Sequence, residues 1–192
     1  GLRSYDPDMP EEVNRVVTDS VTDVFFVTER SALRNLLSEG KERSAISLVG
    51  DLMIENLCYG LKKIDSMDKS AFASYAIRKR FLDYAVLTLH RFANVYKKDE
   101  LWFWLRHMDA LGRDIPIIFP AHPMTAKRIK EFRICVKNLI ILKPLGYFDF
   151  LYLMQGARCI VTDSGGVLTE AAILRKPCFI LRDRVEKKDV MT

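Results

Sequence analysis

No run of apolar residues in this 192-residue chain approaches the roughly 18 that a membrane span needs. It has no internal repeat, no low-complexity segment and no heptad pattern, so solenoids, collagen-like chains and coiled coils are excluded. Its opening residues, Gly1-Leu2-Arg3-Ser4-Tyr5-Asp6, are polar and do not read as a signal peptide. Cysteine is sparse: Cys58, Cys135, Cys159 and Cys178 stand singly in apolar stretches without C-x-x-C spacing. They are expected to be reduced core thiols of a cytoplasmic protein. With 3 histidines and no spaced third ligand, a zinc site is not expected. What is present is the balance of a folded domain, 49% hydrophobic and 29% charged residues. The formal charge of +5 suits an anionic ligand, but it is too dispersed along the chain to predict nucleic-acid binding.

Short apolar runs alternate with stretches of helical period. Strands are expected at Val24–Thr28, Ile46–Gly50, Tyr84–His90, Pro116–His122, Leu139–Pro144, Cys159–Asp163 and Pro177–Asp183. Most are continuously apolar, as strands buried on both faces are. Helices are expected at Asp99–Leu111, Phe148–Gly156 and Val167–Arg175, and a helical link between domains is expected within Asp51–Arg80. Strands alternating with helices imply right-handed crossovers and a parallel, doubly wound sheet. The five strands from Tyr84 onward make a nearly complete Rossmann-like unit. The first 80 residues offer only two, which cannot bury a sheet alone. Residues 1–65 are therefore expected to be the remainder of a first Rossmann-like domain plus linker. Residues 66–192 are expected to form a second such domain, incomplete at its end.

With only 9 glycines in the chain, the pair in Thr162-Asp163-Ser164-Gly165-Gly166 stands out. A buried strand ends there and a helix begins at Gly166 or Val167. Ser164 suits an N-cap, and the glycines let a ligand approach the backbone. A helix N-terminus offers free N–H groups and positive partial charge to a phosphate. An ordinary capped strand–helix turn would read the same way. Glu170 lies one turn further on, placed either to meet ribose hydroxyls or simply to face water. His90 and His122 each end an expected strand and should project at the same sheet edge as Ser164, whereas His107 reads as structural. Glu11 and Glu12 open a helix, where carboxylates favour the dipole. Tyr147 and Phe150 could sandwich a base or pack in the core. Trp102, Phe103 and Trp104 could be core or interface.

Taken in order, Gly1-Leu2-Arg3-Ser4, Met9-Pro10-Glu11-Glu12-Val13-Asn14-Arg15, Leu87-Thr88-Leu89-His90-Arg91, His122-Pro123, Pro144-Leu145-Gly146-Tyr147 and Thr162-Asp163-Ser164-Gly165-Gly166 with Glu170-Ala171 resemble the non-hydrolysing UDP-N-acetylglucosamine 2-epimerase family. Each stretch alone is unspecific; the ordered set spans nearly the whole chain. The resemblance implies an α/β, GT-B-like fold of two Rossmann-like domains, the first incomplete in this chain, so a truncated member is expected. It implies interconversion of UDP-GlcNAc and UDP-ManNAc by elimination and re-addition of UDP through 2-acetamidoglucal, with no cofactor. It further implies a homodimer and a role in polysaccharide biosynthesis. Ser164, Gly165 and Gly166 would hold the diphosphate, Glu170 the ribose and Phe150 the uracil. His122 and Lys187 would also meet the substrate, and Glu11 and His90 would be catalytic. A hydrolysing epimerase, a GT-B glycosyltransferase and a non-catalytic UDP-sugar-binding relic are the alternatives. Two departures stand out: the His-Arg stretch usually continues Ala-Glu-Asn but reads Phe92-Ala93-Asn94, and Lys187 replaces an arginine, losing its bidentate fork.

Overall fold

The structure, a computed structural model, describes residues 1–182. Lys187 and the rest of the tail after Arg182 lie outside the described residues. The chain divides into two compact units, one built on Gly1–Glu55 and the other on Asn56–Leu181.

In the first unit, helix α1 (Pro10–Val21) leads into strand β1 (Phe25–Val27), helix α2 (Arg30–Ser38) and strand β2 (Ile46–Leu48). The two strands pair in parallel, with Phe25 opposite Ile46 and Val27 opposite Leu48. Phe25, Val27 and Ile46 bury against Ala32 and Leu36 of α2, while Phe26 on the other face of β1 stays exposed. Buried Arg3 ties the helices together. It makes a bidentate pair with Glu39, Nε and Nη2 each at 2.7 Å, and donates from Nη2 to Asp19 at 2.6 Å. Gly40, which follows α2 at φ +82, supplies the left-handed turn that closes the helix.

Helix α3 (Leu52–Ser66) continues into the second unit, followed by the short α4 (Tyr75–Arg80). Strands β3 (Ala85–Thr88), β4 (Ile117–Pro120), β5 (Leu139–Leu142), β6 (Cys159–Thr162) and β7 (Cys178–Ile180) alternate with helices. These are α5 (Phe92–Val95), α6 (Lys98–Leu111), α7 (Pro123–Glu131), α8 (Tyr147–Gly156) and α9 (Gly165–Ile173). All pairings are parallel, in the order β5-β4-β3-β6-β7. That is the 3-2-1-4-5 order of a Rossmann half, so the direction of winding switches between β3 and β6. Alternation along β3 divides the core. Ala85, Leu87 and Leu89 face one cluster with Leu101, Leu105 and Phe119. Tyr84 and Val86 face the other, with Leu57, Leu151 and Ile160. Both faces are covered, which explains the continuously apolar strands.

All seven expected strands are present, each shorter than expected at one or both ends. His90, His122 and Asp163 fall just past their strands rather than inside them, because the chain leaves the ladder there to build turns. Residues 51–80 are helical over Leu52–Ser66 and Tyr75–Arg80, and from Asn56 onward they belong to the second unit. Helices α2, α5 and α7 had no clear signal; α5 has only four residues, and α7 is capped by a histidine rather than by a usual N-cap residue. The cysteine expectation needs correcting: Cys58 and Cys135 are exposed and Cys159 and Cys178 half-buried, all four free. An apolar neighbourhood in sequence did not place the first two on a buried face.

Candidate functional site

The site lies at the switch point, beyond the carboxyl ends of β3 and β6. Thr88 and Thr162 stand opposite each other in the ladder, and their hydroxyl oxygens lie 2.5 Å apart. Thr162 Oγ1 also accepts the Ser164 N–H at 2.9 Å, fixing the start of the turn. Ser164 is the N-cap of α9, and its Oγ accepts the Val167 N–H at 3.3 Å. Gly165 and Gly166 are the first two helical residues, so their N–H groups precede any intrahelical acceptor and carry the positive end of the dipole.

An open cavity of about 290 Å³ sits over this turn. His90, His122, Phe150 and Ser164 all line it, and Thr88, Leu145 and Val167 complete its wall. The two histidine rings are 6.2 Å apart at a 45° tilt. The structure thus brings four of the candidate residues to one place. His122 caps α7, its Nδ1 accepting the Met124 N–H at 3.3 Å. Accepting at Nδ1 puts the ring proton on Nε2.

Beneath His90 lies Asp163, with no exposed surface. Its Oδ1 lies 2.9 Å from His90 Nδ1, and the carboxylate accepts the backbone N–H groups of His90 at 3.0 Å and Arg91 at 2.9 Å and the Asn94 Nδ2–H at 3.0 Å. Burial raises its carboxyl, but the His90 ring, the Asn94 amide and the Arg91 N–H outweigh burial, so the net shift is downward. Asn94 is held in turn, donating to the Leu181 carbonyl at 3.1 Å and accepting from Trp104 Nε1 at 3.1 Å. Trp104 therefore belongs to the packed interior of this network, whereas Trp102 and Phe103 are exposed. His107 bonds its own helix at Phe103 O, in keeping with a structural role.

Glu170 is buried, 8% exposed, rather than facing water. Burial raises its carboxyl, partly offset by a hydrogen bond from the Tyr147 hydroxyl. Of the expected aromatic pair, Phe150 lines the cavity, while Tyr147 acts on the Glu170 carboxyl. In the first unit, Glu11 is exposed on the opening turn of α1. Its neighbour Glu12 is buried and structural, accepting the N–H groups of Ser4 at 3.0 Å and Tyr5 at 2.9 Å and pairing with Arg15 at 2.6 Å. Asp163, part of the Ser-Gly-Gly turn in sequence, and Asn94 emerge as members of the site from the structure. The available signal was a carboxylate at the end of a fully apolar strand, which needs several donors to be buried.

The whole of residues 1–192 matches the family model described as UDP-N-acetylglucosamine 2-epimerase. The chain belongs to that family. It is 40% identical over 200 residues to a UDP-N-acetylglucosamine 2-epimerase of Methanocaldococcus jannaschii, covering 100% of this chain and 54% of that protein. It is 33% identical to a UDP-2,3-diacetamido-2,3-dideoxy-D-glucuronate 2-epimerase of Pseudomonas aeruginosa, covering 100% of this chain and 52% of that protein. Among solved structures, the M. jannaschii UDP-GlcNAc 2-epimerase in complex with UDP-GlcNAc and UDP superposes with a TM-score of 0.85 at 38% identity, over 98% of this chain and 53% of that one. The α/β, GT-B-like class expected from the resemblance is the class of this relative. The chain spans about half the length of the curated relatives it matches.

Proposed function

We propose that the protein acts as a UDP-N-acetylglucosamine 2-epimerase, interconverting UDP-GlcNAc and UDP-ManNAc. The observation that carries this is the cavity over the Ser164-Gly165-Gly166 turn, lined by His90, His122 and Phe150, in a chain of this family. A structural relative of matching fold is complexed with UDP-GlcNAc and UDP, which supports a UDP-sugar ligand here.

In this reading the α9 N-terminus and Ser164 hold the diphosphate, Phe150 lies beside the uracil, and Glu170 meets the ribose. His90 stands beside the diphosphate and sugar, and His122 and Lys187 add contacts to the substrate. Positive charge at C1, as the C1–O bond breaks, loosens the C2 proton, which a carboxylate removes; Glu11 is our candidate for a carboxylate in that half-reaction. UDP and 2-acetamidoglucal form, and re-addition to the other face gives the epimer. A helix N-terminus contributes roughly 0.3–1 kcal/mol per anion, up to about 2 when partly buried. The roughly 8 kcal/mol or more of an enzymatic acceleration then rests mostly on positioned donors and on orientation. The P. aeruginosa relative acts on a different 2-acetamido sugar by its name, so that substrate belongs in the same assay.

The test is incubation of the protein, in the form the cell makes it, with UDP-GlcNAc in deuterium oxide. The reading expects UDP-ManNAc carrying deuterium at C2. Free ManNAc would replace it with a hydrolysing epimerase, and absence of both product and exchange would reject the enzyme reading. Sedimentation of the same sample checks the homodimer that belongs to this proposal.

A further inference from the structure

The two cavity histidines receive opposite instructions from their partners. His122 Nδ1 accepts a backbone N–H, so its neutral ring carries the proton on Nε2. His90 Nδ1 lies 2.9 Å from an Asp163 oxygen that already accepts N–H groups from the backbone of His90 and Arg91 and from Asn94. A carboxylate can only accept, so the Nδ1 proton must belong to His90, and Nε2 is left with its lone pair on the side away from Asp163. Asp163 itself has no freedom to turn, because Asn94 is pinned by Trp104 and the Leu181 carbonyl. We propose that Asp163 is a positioning residue, fixing His90 in the Nδ1–H tautomer so that Nε2 takes up a proton and donates to the diphosphate when a nucleoside diphosphate enters.

The buried negative charge serves the second half of that statement. A neutral Nε2 presents a lone pair, which repels a phosphate oxygen. Protonation turns it into a donor, and the resulting imidazolium sits directly on an anionic carboxylate, as a charge-assisted pair. The proton comes from water, and no covalent bond to UDP forms or breaks. The proposal rests on the UDP reading of the cavity for its ligand, but the ring tautomer stands on Asp163 alone.

Nitrogen-15 spectra of the labelled chain decide it, because the chain has only three histidines. Without ligand, above the titration range, His90 is expected as the Nδ1–H form and His122 as the Nε2–H form. His107 serves as an internal reference in the Nδ1–H form, since its Nδ1 faces the Phe103 carbonyl. Adding UDP is expected to move His90 Nε2 to a protonated shift. In Asp163→Asn the amide must still accept from the backbone, so its NH2 turns to the ring. The neutral His90 ring is then expected to switch to Nε2–H, which donates without the imidazolium charge, so UDP affinity is expected to fall about tenfold as a charge-assisted bond becomes a neutral one. A wild-type His90 carrying its neutral proton on Nε2 would overturn the proposal without any variant being needed. So would an Asp163→Asn protein, folded by circular dichroism, that keeps the Nδ1–H ring and wild-type affinity. Failure of UDP to bind the wild type would instead reject the ligand reading, while the tautomer in the free chain still decides the role of Asp163.

Discussion

Of the two adjacent carboxylates that open α1, Glu12 and not Glu11 is the one built into the fold of the first unit. Its burial would raise the carboxyl, but the Ser4 N–H, the Arg15 guanidinium and the Tyr5 N–H hold it down at about 2, against an ordinary 4.5. A carboxyl that is lowered on folding binds fewer protons in the folded state, so it stabilises the protein above the ordinary value and loses that contribution as the pH falls. Wild-type stability, followed by urea denaturation, should therefore drop by on the order of 2 kcal/mol between about pH 5 and 2 on account of this group. Glu12→Gln should remove most of that dependence; an unchanged acid profile would contradict the assignment. The pair also illustrates what adjacent identical residues conceal. Both carboxylates suit a helix start, and nothing in the residue types distinguishes the one that folds back onto Ser4 and Tyr5 from the one that faces water. Arg3 and Ser4 are similar: they carry part of the family resemblance, yet here Arg3 is a buried clamp and Ser4 offers its N–H to Glu12.

Among the elements, α6 shows how closely helix and sheet are fitted. Its Asp109 accepts the N–H groups of Lys137 and Asn138, each at 2.7 Å, and so sets the approach to β5. Gly112 at the C-cap of α6 leaves room for this contact, since an added Cβ would come within 2.6 Å of the Asn138 carbonyl oxygen. Gly112→Ala should therefore cost about 1–3 kcal/mol in chemical denaturation, because the obstacle is backbone. A cost near zero would mean that the loop before β5 moves freely. The strands of this unit were readable because burial on both faces writes a continuous apolar run. Their ends were not, because Leu89 is as buried as the strand before it while the chain has already turned away from the ladder. The start of α9 was legible for a local reason: Ser followed by two glycines after a buried strand states both the cap and the turn. The start of α7 was hidden, since a histidine followed by proline reads as a strand end before it reads as a cap.

For the molecule as a whole, sequence periodicity identifies the doubly wound unit, and the strand order then fixes where a ligand can sit. The order β5-β4-β3-β6-β7 puts the ends of β3 and β6 side by side, so His90 and Ser164, 74 positions apart in the chain, line one cavity. His122 arrives from β4, on the other side of β3. No local signal joins these three; the expectation that they share an edge came from parallel topology alone. The buried Asp163 network was invisible for a related reason, because its members come from the turn after β3, from α5 and α6 and from the Leu181 carbonyl beyond β7, which only the fold brings together. Calorimetric titration of UDP into the chain is the decisive experiment for the cavity, because the turn, both histidines and Phe150 lie within one unit. A diphosphate cradle at this turn predicts saturable binding by the wild type. It also predicts at least a tenfold loss in Ser164→Trp, whose indole would fill the cavity, with the melting temperature lowered only by the lost cap, worth about 1 kcal/mol. Absence of UDP binding to the wild type, or undiminished binding to Ser164→Trp, would contradict it.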